Sequence, residues 1–134
     1  MQEEKKGLVI KEKLRTAVGE VQCLFNIPNT EFLGIAAESE GKHHVSIFDL
    51  RRNCITRTLK EAHSNHINFL ATSSGMLYSG SADHIMHCWS IVGDFALLEK
   101  TKFDSGVYAV LFTRRKDLLL VGTGNAIRVL NTRE

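Results

Sequence analysis

Six histidines are the residues of this chain best equipped for chemistry: His43, His44, His63, His66, His84 and His87. Two spacings invite a zinc reading, His63-x-x-His66 and His84-x-x-His87 with Cys88 directly behind it. Zinc clusters typically show Cys-x-x-Cys or His-x₃₋₅-His spacing. Neither pair has it, and residues three apart on a strand point to opposite faces. The histidines are therefore read as strand and loop residues, and no metal or cofactor is expected. Gly122-Thr123-Gly124 is no phosphate cradle, because no helix or Lys-Ser/Thr follows it. No nucleophile or acid–base pair is assigned, so an enzyme is the weakest reading and no catalytic residue is named.

The segments that carry these residues are short, β-branched or aromatic, and end in Gly, Asn, Asp or Ser. No run of ten or more residues has good helical periodicity. The pattern predicts twelve strands. They run over Leu8–Leu14, Val21–Asn26, Phe32–Ala37, His44–Leu50, Ile55–Leu59, Ile67–Ala71, Met76–Ser81, Ile85–Ile91, Phe95–Lys100, Val107–Phe112, Leu118–Gly122 and Ala126–Asn131. Ala82-Asp83-His84 and Thr123-Gly124-Asn125 read as hairpin turns, with Gly124-Asn125 expected to supply positive φ. Glu38 to His43 reads as a longer, polar turn.

Three stretches repeat at a step of 41 residues: Val45, Met86 and Ile127 correspond, as do Ile47, Cys88 and Val129. A period of this size marks one supersecondary unit repeated side by side, each copy burying its apolar face on the next. Such arrays usually hold partners.

The chain has 134 residues, 43% of them hydrophobic and 24% charged, which suits one globular domain. A net charge of +2 does not call for nucleic acid, and none is expected; a membrane role is disfavoured. No apolar run reaches membrane-spanning length, and the start MQEEKKGLVIKEK lacks the apolar core of a signal peptide. Cys23, Cys54 and Cys88 are odd in number and far apart, so a disulfide framework is not expected. These features point to the cytoplasm, or the nucleus.

The middle copy carries the most specific signal: Ala62-His63, then Leu77-Tyr78-Ser79-Gly80-Ser81-Ala82-Asp83, then Trp89-Ser90. It resembles a WD-repeat β-propeller blade, with Ala62-His63 in place of the family's Gly-His and Trp89-Ser90 in place of Trp-Asp. The first copy keeps Ile47-Phe48-Asp49-Leu50, and the third keeps Leu119-Leu120-Val121-Gly122-Thr123-Gly124-Asn125 and Val129-Leu130-Asn131. The resemblance implies an all-β chain of about three four-stranded antiparallel blades, near 18–61, 62–104 and 105–134, after a charged terminus at 1–6 and a leading strand at 7–16. It implies a structural hydrogen-bonded tetrad of His63, Ser79, Asp83 and Trp89, in which a hydroxyl relays to the buried indole N–H.

Three blades are fewer than the four to eight of a closed propeller. Three readings stay open: a piece of a longer propeller, a chain paired with a second copy, or a chain docked on another protein that supplies blades. By the resemblance the function is a non-enzymatic protein-interaction scaffold, with partners at the loop face near Asn65, His66, Ala82, His84, Gly106 and Tyr108. The alternative is a structural subunit that completes a larger propeller or complex. A second alternative is phosphoinositide binding through Arg51-Arg52 or Arg114-Arg115-Lys116, although neither pair has the Phe before it and Gly after it that the propeller motif carries.

Overall fold

The computed structural model describes residues 7–14, 16–113 and 118–131. Eleven strands follow one another: β1 Glu20–Asn26, β2 Phe32–Ser39, β3 Lys42–Asp49, β4 Cys54–His63, β5 Ile67–Ser73, β6 Met76–Ser81, β7 Ile85–Ser90, β8 Ala96–Lys102, β9 Val107–Phe112, β10 Leu118–Thr123 and β11 Ile127–Asn131. No helix occurs among the described residues. The strands form three antiparallel meanders, β1-β2-β3-β4, β5-β6-β7-β8 and β9-β10-β11.

Side chains alternate along each strand, so every sheet feeds two layers. On β7, Met86 and Cys88 enter the core shared with the third blade, and Trp89 enters the core shared with the first. The first core joins Ala36, Val45, Ile47 and Leu59 to Ile67, Leu70, Leu77 and Trp89. The second joins Tyr78, Met86 and Cys88 to Val107, Leu119 and Val121. A smaller cluster of Val18, Ile35, Ala37 and Phe48 lies on the far side of the first blade.

The innermost strands β1, β5 and β9 lie next to one another along the stack. Each carries one extra residue in its ladder: Gln22 between Val21 and Cys23, Asn68 between Ile67 and Phe69, and Tyr108 between Val107 and Ala109. Such bulges re-aim a side chain. Here the first two turn Gln22 and Asn68 towards the next blade. The Ile67 N–H donates to Gln22 Oε1 at 2.9 Å, and Asn68 Nδ2 donates to the Val107 carbonyl at 2.7 Å. These polar spokes tie each inner strand to the start of the next.

Several expectations need correction. Leu8–Leu14 form no strand; Leu8 and Ile10 are 103% and 95% exposed. A strand needs a neighbouring ladder, and among the described residues none pairs with this segment. The long turn expected from Glu38 to His43 is a two-residue tip. Glu40 and Gly41 have φ of 54° and 79°, the left-handed pair that matches hairpin twist, so β2 and β3 extend into it. Gly124 and Asn125 do not take positive φ; in the equivalent middle turn His84 does, at 78°. β4 runs on to His63 and crosses the expected boundary at 61/62. The charged terminus Met1–Lys6 and the basic cluster Arg114–Lys116 lie outside the described residues.

Candidate functional site

β4 delivers His63 to the face of the middle blade that looks towards the first. Its Nε2 lies 2.7 Å from Ser79 Oγ on β6, and its Nδ1 lies 3.0 and 3.2 Å from the two carboxylate oxygens of Asp83 in the β6–β7 turn. The carboxylate also accepts the Ser64 and Ile85 N–H groups, each at 2.9 Å. Burial pushes Asp83 up, but these two backbone donors and His63 outweigh it and hold the carboxyl below its usual value. Burial pushes His63 down further than Asp83 pulls it up, so the imidazole stays neutral near pH 7. A neutral ring fits the network one way: Nδ1–H donates to Asp83, and Nε2 accepts the Ser79 hydroxyl.

Trp89 joins differently from the expectation. Its indole makes no hydrogen bond to Ser79. Its ring meets the His87 ring edge-on at 5.1 Å, and His87 stacks on His63 at 4.4 Å. His87 is 5% exposed and its Nδ1 has no partner among the described residues; burial pushes its pKa down to about 4. The ring stack His63–His87–Trp89 and the bonded set Ser79–His63–Asp83 therefore share one imidazole.

The order Ser79, His63, Asp83 is that of an acyl-transfer triad. Ser79 is fully buried, however, so its Oγ meets no substrate carbonyl. A cleft of about 320 Å³ lies beside the group, lined by Lys42, His63, Ser64, Asp83, His87 and Lys100 among others, but not by Ser79. The geometry ties the chain entering the middle blade to that blade's own turn.

The expected partner residues fall in two groups. Asn65, His66, Ala82 and His84 are knitted together: Ala82 N–H donates to the His66 carbonyl at 2.9 Å, Ser81 Oγ to the Asn65 carbonyl at 3.1 Å, and His84 N–H to the Ser81 carbonyl at 3.2 Å. Gly106 and Tyr108 sit one blade on, and the Tyr108 ring lies over Gly106, where a Cβ would come 2.7 Å from its hydroxyl. All six lie at the end of the stack where inner strands begin. His84 is in a turn and His87 in the core, so the two do not converge. Arg51 and Arg52 sit in the β3–β4 turn, where Asp49 Oδ1 accepts both backbone N–H groups at 2.9 and 3.2 Å.

Sequence reasoning weighed His87 only as a zinc ligand and missed its place in the ring stack, and it missed Gln22 and Asn68. The signal for His87 was its place two residues before Trp89, hence on the same face. The signal for the others was a polar residue between two apolar ones, Val21-Gln22-Cys23 and Ile67-Asn68-Phe69.

Stacked antiparallel meanders with inner strands side by side define an arc of a β-propeller, the fold that the sequence resemblance implied. Among solved structures, the crystal structure of the Cps50 (Swd1) β-propeller domain of Myceliophteria thermophila matches with a TM-score of 0.77 and 20% identity, over 94% of this chain and 39% of that one. The structure of U3-55K matches with a TM-score of 0.76 and 20% identity, over 88% of this chain and 38% of that one. The chain thus spans about two-fifths of the length of these similar chains. No protein-family profile matches it, and neither does any curated protein.

Two outcomes follow from the cluster. His63→Ala strands Ser79 and removes one partner of a buried pair, and should lower unfolding free energy by about 2–4 kcal/mol; a urea titration giving a change below about 0.5 kcal/mol would refute the assignment. His87 titrates near 6.5 when unfolded and at about 4 when folded. Its depressed value favours the neutral folded form, so this contribution is complete above about 6.5 and lost as pH falls towards about 4. His87→Phe should flatten the loss of stability across that window; identical pH slopes for the two proteins would contradict it.

Proposed function

We propose that this chain is a non-enzymatic protein-interaction module whose working surface is the open end of its blade stack, and that it acts as a structural subunit of a larger propeller-type assembly. One observation carries the reading. The repeat-equivalent residues Val45, Met86 and Ile127 are 0%, 4% and 72% exposed, and Ile47, Cys88 and Val129 are 0%, 6% and 62% exposed. The first two blades cover these positions with the next sheet. On the third blade they join Leu111, 61% exposed, in an apolar face without a cover among the described residues. Faces of this kind mark interaction sites.

A second reading places partners on the loop face, and Tyr108, 53% exposed, favours it as an aromatic at the rim. Nothing among the described residues favours phosphoinositide binding. A photo-crosslinking residue placed at Val129 or at His66, in the full chain in cells, separates the first two. Adducts to a second polypeptide from Val129 and none from His66 are expected. Adducts from His66 alone would move the function to the loops.

A further inference from the structure

The core between the middle and third blades gathers sulfur. The chain has three methionines and three cysteines. Met76, Met86 and Cys88 line one cavity of about 300 Å³, walled also by Tyr78, Leu119 and Leu130. All three sulfurs belong to the middle blade. Met76 is on β6, and Met86 and Cys88 lie two apart on β7, hence on one face. Tyr78 pairs with Cys88 across the ladder. The fold itself does not require sulfur here. At the step of 41, Met86 and Cys88 correspond to Val45 and Ile47 in the first copy and to Ile127 and Val129 in the third. Aliphatic side chains serve at these positions in both neighbouring copies.

The sulfur atoms are close enough to share an ion. Cys88 Sγ lies 3.5 Å from Met76 Sδ. With metal–sulfur bonds of about 2.3 Å, one ion spans that separation at an angle of about 100° between the bonds, near the tetrahedral value. Met86 and Cys88 are buried and Met76 is half-buried, so the cavity has one side open to entry. Burial pushes the Cys88 thiol up, while the Tyr78 hydroxyl favours its thiolate; that hydroxyl also stands 3.9 Å from Met76 Sδ. Among the described residues no three His, Cys, Asp or Glu side chains converge on a metal position. Thioethers supply the missing donors.

We propose that Cys88, Met76 and Met86 form a binding site for one soft monovalent metal ion of the copper(I) class. Thiolate and thioether sulfur favours such an ion over the hard ions that carboxylates hold. On loading, the Cys88 proton leaves to solvent, its sulfur bonds the ion, and the copper keeps its oxidation state. One thiolate then balances one positive charge, so the loaded cavity is neutral; a divalent ion on the same donors would leave a buried charge. Glu99 also lines the cavity but is exposed, and water solvates its carboxylate.

Titration of the reduced full chain with copper(I), supplied as its bicinchoninate complex, tests this. Cys88→Ser should lower the copper taken up by one ion per chain, with Cys23 and Cys54 unaltered. Met76→Leu with Met86→Leu keeps apolar volume and should keep the β-sheet circular dichroism. That pair should weaken the first ion bound by at least about tenfold. X-ray absorption at one copper per chain should show sulfur donors alone, three in the wild type. Uptake unchanged by Cys88→Ser overturns the proposal, as do nitrogen or oxygen donors in the spectrum. Should Cys88→Ser fail to fold, the methionine pair decides: an affinity equal to wild type reduces the site to a bare thiol and overturns it. Displacement of the copper by equimolar zinc(II) overturns the choice of ion.

Discussion

A sheet with one apolar face cannot stand in water; another sheet must cover it. That constraint organises this chain. Val45 and Ile47 are covered by the middle blade, and Met86 and Cys88 by the third. Fully burying such a side chain is worth about 1.5–3 kcal/mol, so each blade depends on its neighbour. The same rule leaves Ile127 and Val129 unsatisfied at the end of the stack.

Apolar burial is not directional, and two flat sheets could slide on one another. Polar contacts remove that freedom. Gln22 and Asn68 fix the inner strands at one height by bonding the backbone of the next blade. His63 fixes the outer part by joining β4, β6 and the β6–β7 turn in one network. A buried network of this kind specifies a unique arrangement only when its members are paired. Asp83 and Ser79 are paired. The buried Nδ1 of His87 is not, and that atom marks where the cluster is most sensitive to acid.

Much of this was legible in the sequence, because period two and the step of 41 are both readable by eye. The step put Met86 and Cys88 in register with Val45 and Ile47, and their faces agree. The Ala62-His63, Asp83 and Trp89 landmarks located the cluster. The rest was hidden for physical reasons. A bulge has no composition of its own, and Gln22, Asn68 and Tyr108 are not evenly spaced, so a fixed step passes over them. Glu40-Gly41 looked like part of a loose polar loop because turn length depends on how far the strands pair. Leu8–Leu14 looks like a strand because its residues are those of a strand, but a strand also needs a ladder, and among the described residues none pairs with it. For Trp89 the resemblance implies a hydrogen bond, and the structure gives it a ring contact with His87 instead.

One substitution made three times tests the covering rule most directly. Val45→Asp, Met86→Asp and Ile127→Asp place the same charge at the same site of successive blades, and urea unfolding reads the cost. The account predicts that the first two cost several kcal/mol or prevent folding, because the charge is sealed between sheets. It predicts a change within about 0.5 kcal/mol for Ile127→Asp in the single chain. Equal costs at all three positions in a species of one-chain mass would mean that the third face is already covered within the chain, and would contradict it.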